Sequence, residues 1–396
     1  MHIEHWVPYI LLFLSALVTT LLTTPLASKI AWKVGAIDYP EKRRINKTPI
    51  PRMGGIAVFL GLFVALLLQV FGYRYLGWPF SIMPPRSRAI SYPLLGLAML
   101  TIFVTGLLDD KFSLKPHQKL FGQMLAATFA ACSSLVIGNI VSPFTGEFIE
   151  LGIWTYPITV IYLVAYVNIF NLIDGLDGLA SGIAVIASFT MFIIAFGGGR
   201  FDAAGLSIAL AGACLGFLKY NFHPASIFLG DSGSMLIGFA LGTISLLNVT
   251  RIAGLTTIIV PLVIAGIPII DTFSAIVRRM RGHVSIGQAD RGHIHHRLIA
   301  EGFDQRQAVL LMYAWTSVLC IGSYVMTQVT LWPRIAIFFL LFVISALFCR
   351  HLHLFEPVLL HYQDPDTGDD TLITPDDPAF KAEEDKLGHH SHHHLH

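Results

Sequence analysis

Charge is what this sequence has least of. Asp, Glu, Lys and Arg make up 13% of its 396 residues, about half of the roughly 25% found in an ordinary soluble domain. Hydrophobic residues make up 54%, which excludes a soluble globular protein and leaves an integral membrane protein. Cysteine is scarce as well. Cys132, Cys214, Cys320 and Cys349 are isolated, lie in or at the ends of apolar runs and form no C-x-x-C pair, so they read as small core residues rather than redox or zinc centres. The first apolar run lacks a basic leader and an A-x-A-like cleavage site, and reads as a retained span. No internal repeat is evident, which counts against a transporter built from duplicated halves. The formal net charge of +1 says little about partners, and no nucleic-acid partner is expected.

Apolar runs long enough for a bilayer core, roughly 17 to 25 residues each, open at Trp6, Met53, Tyr92, Leu120, Trp154, Leu179, Phe201, Gly233, Gly254, Ala308 and Arg334. The expected fold is all-α and polytopic, with about eleven transmembrane helices; the runs over 201–218 and 233–250 are short and carry glycine. The loops 28–52, 109–119, 173–180, 219–231 and 277–306 hold 17 Lys and Arg, and the alternate set holds 6. The positive-inside tendency places the first set in the cytoplasm and the N-terminus outside. Two segments are expected, a membrane domain over 1–351 and an acidic, His-ended, disordered cytoplasmic tail over 352–396.

The unusual polar residues collect in the five loops assigned to the cytoplasm. In "IDYPEKRRINKTPIPRMGG" the cluster Lys42, Arg43, Arg44, Lys47 and Arg52 suits lipid anchoring, while the Pro/Gly-rich end is a shaped backbone from which Lys47 or Arg52 can reach an anion. "GLLDDKFSLKPHQK" sets Asp109 and Asp110 about 100° apart on a helix end, so one can hold a cation or proton while the other holds a lysine. A solvated helix end with charge pairs would also explain that stretch. "NIFNLIDGLDGLASG" places Asn168, Asn171, Asp174 and Asp177 three residues apart in apolar sequence. An interhelical hydrogen-bond seam would use one or two asparagines, and two further carboxylates make a functional cluster the better reading. In "NFHPASIFLGDSGSMLIGF", Asp231 sits between glycines ahead of an apolar run, where it or Ser232 suits a helix cap and the helix N-terminus suits phosphate oxygens. "RRMRGHVSIGQADRGHIHHRL" lacks the spacing of a zinc motif, and its arginines and histidines suit a pyrophosphate. Carboxylates, amides and glycines facing a basic loop on one side of a membrane are what magnesium-dependent phosphoryl transfer requires.

The segments "PRMGG", "LLDDK", "NIFNLIDGLDGLASG", "FLGDSGS", "PIIDT" and "RGHIHHRL" follow one another across residues 38–300. In that order the chain resembles the polyprenyl-phosphate N-acetylhexosamine-1-phosphate transferases, the family of the bacterial enzyme that makes lipid I and of the eukaryotic enzyme that starts dolichol-linked glycans. The resemblance implies transfer of a sugar 1-phosphate from a UDP-sugar to a polyprenyl phosphate at the bacterial cytoplasmic membrane, with release of UMP. It implies Mg²⁺, with Mn²⁺ as a substitute, held by Asn171 and Asp231. It puts Asp109 and Asp110 beside the lipid phosphate with Lys111 and Lys119 near it, Phe228 and Asp177 at the uracil, and His293, His295, His296 and Arg297 at the pyrophosphate and sugar. Asp174 supports the metal shell or polar network, and Asp271 of "PIIDT" is taken as a buried support. Whether an aspartate acts as base, as nucleophile, or not at all is left open, with direct attack by the lipid phosphate preferred. Ile294 interrupts the histidine run and Arg297 follows it, which resembles the branch using UDP-N-acetylglucosamine. UDP-N-acetylgalactosamine and UDP-muramyl-pentapeptide are the alternative donors, and an ion-coupled transporter is the alternative class. A homodimer is compatible with all of these.

Overall fold

The computed structural model describes residues 6–39, 48–79, 82–83, 90–141, 148–249, 256–281, 292–355, 360–363 and 370–373. Lys42, Arg43, Arg44 and Lys47, the loop 282–291 and the end of the tail lie outside them. The helices are α1 (Val7–Val34), α2 (Gly55–Tyr75), α3 (Tyr92–Phe112), α4 (Pro116–Cys132), α5 (Thr155–Ile173), α6 (Leu179–Gly197), α7 (Phe201–Asn221), α8 (Gly230–Val249), α9 (Thr256–Ile264), α10 (Gly266–Arg281), α11 (Ile294–Ala300), α12 (Gln305–Gln328) and α13 (Leu331–His351). Short antiparallel pairs join β1 (Ile37–Asp38) to β2 (Ile50–Pro51) and β3 (Asn139–Val141) to β4 (Phe148–Glu150). The chain is a mostly helical, multi-pass membrane protein.

Among the described residues nine helical segments are long and apolar enough to cross a bilayer. They account for all the expected runs except those opening at Leu120 and Gly254. The first of these becomes α4, whose 17 residues extend only about 26 Å against a hydrocarbon core of about 30 Å. The second yields the nine-residue α9, and a new helix starts at Gly266. The short, glycine-bearing runs, by contrast, become α7 and α8, the most enclosed spans of the bundle. Their small residues explain why. Without a hydrophobic drive between helices in lipid, packing depends on close backbone approach, and Gly212 and Gly216 lie one turn apart on α7 against the backbone carbonyls of Phe13 and Leu17 of α1. A Cβ at Gly216 would sit 2.7 Å from the Leu17 oxygen.

The chain forms two compact units, Met1–Ile269 with Gln305–Phe339, and Ile270–Asp304 with Leu340–His396. The division between these units falls within α10 and α13. Inside the tail expected to be disordered, β5 (Leu360–Gln363) pairs antiparallel with β6 (Asp370–Ile373). Leu, Tyr, Thr and Ile supply strand propensity there, a local signal that the acidic composition of the tail had outweighed.

Candidate active site

In the first unit α3, α4, α5 and α8 bring one end each to a single polar cluster, and its logic starts with α8. The first backbone N–H groups of a helix lack internal acceptors. Here Asp110, on α3, supplies them: its Oδ1 accepts from Asp231 N at 2.7 Å and its Oδ2 from Ser232 N at 3.1 Å. Asp110 is 1% exposed, and its carboxyl lies at the N-terminal end of α8, where the helix dipole favours negative charge. The approach requires glycine at two places. Gly230 has φ +73°, and a Cβ there would meet Asp110 Oδ1 at 2.6 Å, while Gly106 brings α3 against the Ser232 backbone. Arg52 donates from Nε and Nη2 to the Asp110 carbonyl at 3.3 and 3.0 Å. Beside it, Phe228 N donates to Pro51 O at 2.8 Å and Gly54 N to Phe228 O at 3.0 Å. The "PRMGG" segment is thus a strand-like brace for "FLGD".

Asp109 lies beside this cap. Its Oδ1 accepts from Leu114 N at 2.8 Å and its Oδ2 from Lys119 Nζ at 2.9 Å. Lys119 also donates to Asp231 Oδ1, so one ammonium joins two carboxylates from different helices. Asn171 Nδ2 donates to the same Asp231 oxygen at 2.6 Å and to Ser234 Oγ at 2.9 Å. Asp174, where α5 ends, accepts no hydrogen bond among the described residues. Burial, then the charges of Asp231, Asp110 and Asp177, hold its carboxyl well above the usual carboxylate range.

Not every expected residue joins the cluster. Asp177 Oδ2 accepts from His223 Nδ1 at 2.7 Å and from Ala225 N at 3.1 Å, which ties the start of α6 to the 222–226 loop. Arg306 Nε holds the His223 carbonyl at 3.1 Å. Lys111 turns away, with its ammonium 5.0 Å from the Phe112 ring. Asn168 forms a reciprocal amide pair with Gln123, at 2.8 and 3.3 Å, and is therefore the interhelical seam between α4 and α5. His223, Arg306, Gln123 and Ser234 escaped sequence reading. His223 and Ser234 were visible inside "NFHPASIFLGDSGS", whereas nothing local marks the other two.

The second unit organises its own basic segment. Asp271 on α10 accepts from His293 Nδ1 and from Ile294 N, each at 2.8 Å. It therefore caps α11 and fixes the His293 tautomer, leaving Nε2 as the free acceptor when the ring is neutral. The rings of His293 and His295 lie parallel with centroids 5.7 Å apart, and His295 and His296 are 4.2 Å apart. Arg297 follows on the same short helix. Burial, then the charge of His296, pushes the His295 imidazole down to about 3. Between its ordinary value of 6.5 and about 3, the unfolded chain binds a proton that the folded chain does not, so His295 contributes stability above this window that is lost as pH falls through it. Thermal unfolding of His295→Gln is expected to depend less on pH between 6.5 and 4 than that of the unmodified protein.

Together these features define a polytopic membrane protein with a carboxylate, amine and amide site at one end of its bundle. Residues 92–249 match glycosyl transferase family 4. The chain is 36% identical to the probable undecaprenyl-phosphate N-acetylglucosaminyl 1-phosphate transferase of Bacillus subtilis, covering 86% of this chain and 91% of that protein. It is 34% identical to the decaprenyl-phosphate N-acetylglucosaminephosphotransferase of Mycolicibacterium smegmatis, covering 78% and 80%. It is 32% identical to the phospho-N-acetylmuramoyl-pentapeptide-transferase of Moorella thermoacetica, covering 80% and 98%. The chain belongs to this family of membrane sugar-phosphate transferases.

Proposed function

We propose that the protein transfers N-acetylglucosamine 1-phosphate from UDP-N-acetylglucosamine to undecaprenyl phosphate, releasing UMP, at the cytoplasmic face of a bacterial inner membrane. The observation that carries this reading is the placement of Asp231, at the head of α8, in contact with both Lys119 and Asn171. The names of the B. subtilis and M. smegmatis proteins support the sugar. The excess of Lys and Arg in one alternate set of loops, 17 against 6, supports an N-terminus outside and a cytoplasmic site, with α4 and the broken α9–α10 segment as the tenth and eleventh crossings.

Among the described residues no three His, Cys, Asp or Glu side chains form a metal-holding group. Magnesium does not require one, because it is commonly bound through one or two carboxylates, water and substrate phosphate. The site suits such an ion: an ammonium already sits on Asp231, and the Asp174 carboxyl accepts no hydrogen bond among the described residues. Asp231 and Asn171 are the residues that would hold Mg²⁺, which supplies neutralisation of the diphosphate charge.

The protein's own groups do the rest. Asp110 has both oxygens committed to the α8 backbone and therefore positions Asp231. Asp109 holds Lys119, whose ammonium is the cation available to a phosphate entering the cluster. A phosphate monoester has a second pKa near 6 and is largely ionised at pH 7. Its oxygen attacks the phosphorus that bears the sugar, the bond from that phosphorus to the UMP oxygen breaks, and no base is needed. Phe228 and Asp177 serve the uracil in this reading, with Asp177 acting through the loop it anchors.

The test is UMP release by purified protein with undecaprenyl phosphate and Mg²⁺, offered UDP-N-acetylglucosamine, UDP-N-acetylgalactosamine or UDP-muramyl-pentapeptide. Lipid-dependent UMP from the first alone is expected. Release from the muramyl donor would reassign the substrate, and no release from any donor by folded protein would overturn the reading.

A further inference from the structure

The turn that carries Asp177 is held from outside the carboxylate cluster, by α12. Asp177 lies between α5 and α6, and Gly178 caps the start of α6 with φ +79°. The Gly178 carbonyl accepts the first bond of α6, from Gly182 N at 2.9 Å, and another from Tyr313 Oη at 2.5 Å. Tyr313 reaches it across Gly182, where a Cβ would sit 1.9 Å from the phenol oxygen. On the other side of Asp177, Arg306 Nε donates to the carbonyl of His223, whose ring is bonded to the Asp177 carboxyl. Arg306 and Tyr313 are seven residues apart on α12 and so share one face, about 10 Å from each other along the axis. One helix thus fixes both neighbours of Asp177, the backbone that follows it and the side chain that binds it.

Helix stability and packing do not account for these two residues. Arg306 lies in the first turn of α12, at the end of the dipole that disfavours a cation. Packing of α12 on α6 needs only the ring of Tyr313, and the hydroxyl adds one directional bond, to the carbonyl next to Asp177. Asn221 extends the same clasp. Its Oδ1 accepts from Gly178 N at 3.1 Å and Ser181 Oγ at 2.9 Å, and its Nδ2 donates to Ile227 O at 3.0 Å, one residue before Phe228. Asp177 commits only Oδ2 to the clasp. Its Oδ1 accepts no hydrogen bond among the described residues, which leaves that oxygen to an N–H donor such as N3 of uracil.

We propose that Tyr313 and Arg306 are positioning residues for the nucleotide half of the donor, acting through Asp177: together they hold the 174–178 turn and the 222–226 loop in the register that receives the uracil. The inference rests on the reading of the donor as a UDP-sugar and extends it to a helix that carries none of the groups assigned to the reaction.

The experiment is calorimetric titration of UMP, with Mg²⁺, into the full chain and its Tyr313→Phe and Arg306→Gln variants, alongside kcat and KM for UDP-N-acetylglucosamine and undecaprenyl phosphate. Tyr313→Phe removes a single hydrogen bond and is expected to weaken UMP binding about three- to tenfold, with a matching rise in the donor KM. Arg306→Gln, at an exposed position, should move both in the same direction by about two- to threefold. The KM for undecaprenyl phosphate should not change and kcat should stay within about twofold, the pattern of lost donor binding. A merely structural defect would instead lower the fraction of active protein, and with it kcat, while leaving both KM values in place. UMP affinity unchanged in both variants, a loss confined to kcat, or equal rises in both KM values would overturn this inference alone. Failure of the unmodified protein to bind UMP would overturn it together with the donor reading.

Discussion

Asp231→Asn is expected to lower turnover by at least about 10³-fold at saturating Mg²⁺ while leaving the protein folded. Interactions that neutralise charge at a transferring phosphoryl group are commonly worth factors of about 10² to 10³ each, and this substitution removes the carboxylate on which Lys119 and Asn171 converge. The fold should survive because Asp110 holds α8 through the backbone N–H of residue 231 rather than through its side chain. Lys119 also keeps Asp109 as a partner. Steady-state UMP release and a melting curve on the same preparation check both halves. Full activity with the amide in place would sink the assignment of Asp231 to the metal and the diphosphate.

Lys119→Met is expected to lower turnover and stability together. In the native cluster one ammonium lies between Asp109 and Asp231, with side chains only 9–25% exposed. Removing one partner of a buried ion pair typically costs about 3–5 kcal/mol, because the remaining charge is left uncompensated; partial exposure here places the expected loss toward the lower end of that range. Methionine fills similar volume, so the loss reports on charge rather than on a cavity. The melting temperature should fall by several degrees, and Mg²⁺ should restore more stability to the variant than to the unmodified protein, since the same carboxylates then lack their ammonium. A variant that loses turnover with an unchanged melting temperature would mean that Lys119 contacts substrate without supporting the cluster.

The legibility of the site differed from residue to residue. Asn171, Asp174 and Asp231 were conspicuous because an amide or carboxylate in apolar sequence is costly, and the structure brings all three to one end of the bundle. Asn168 belonged to the same three-residue stripe yet serves the seam with Gln123, since spacing along a helix fixes a face but not the neighbour that face meets. The pair Asp109 and Asp110 was expected to divide its work between a cation or proton and a lysine; in the structure Asp109 holds Lys119, and Asp110 caps α8 instead. That the second partner is a helix terminus 121 positions away could not be seen in a dipeptide. Lys111 and Lys119 looked equivalent as cations near that pair, but only Lys119, at the start of α4, lies on the side where Asp109 and Asp231 meet. Asp271 was taken as a buried support, and its bonds to His293 and Ile294 give that role content.

The sequence by itself determined the solvent, the secondary structure and the inventory of groups. Its hydropathy demands lipid around the chain, lipid demands backbone hydrogen bonds satisfied within helices, and the few polar residues at helix ends then stand out by their cost. Tertiary structure decided which polar group meets which: that Asp110 caps α8, that Lys119 bridges two carboxylates, that Asp177 anchors a loop through His223, and that α12 holds the Asp177 turn through Tyr313 and the His223 loop through Arg306. Hydrophobic burial is a local, nondirectional property that each segment carries with it. Hydrogen bonds and ion pairs are short-ranged and directional, so their partners are fixed only when helices remote in sequence have packed.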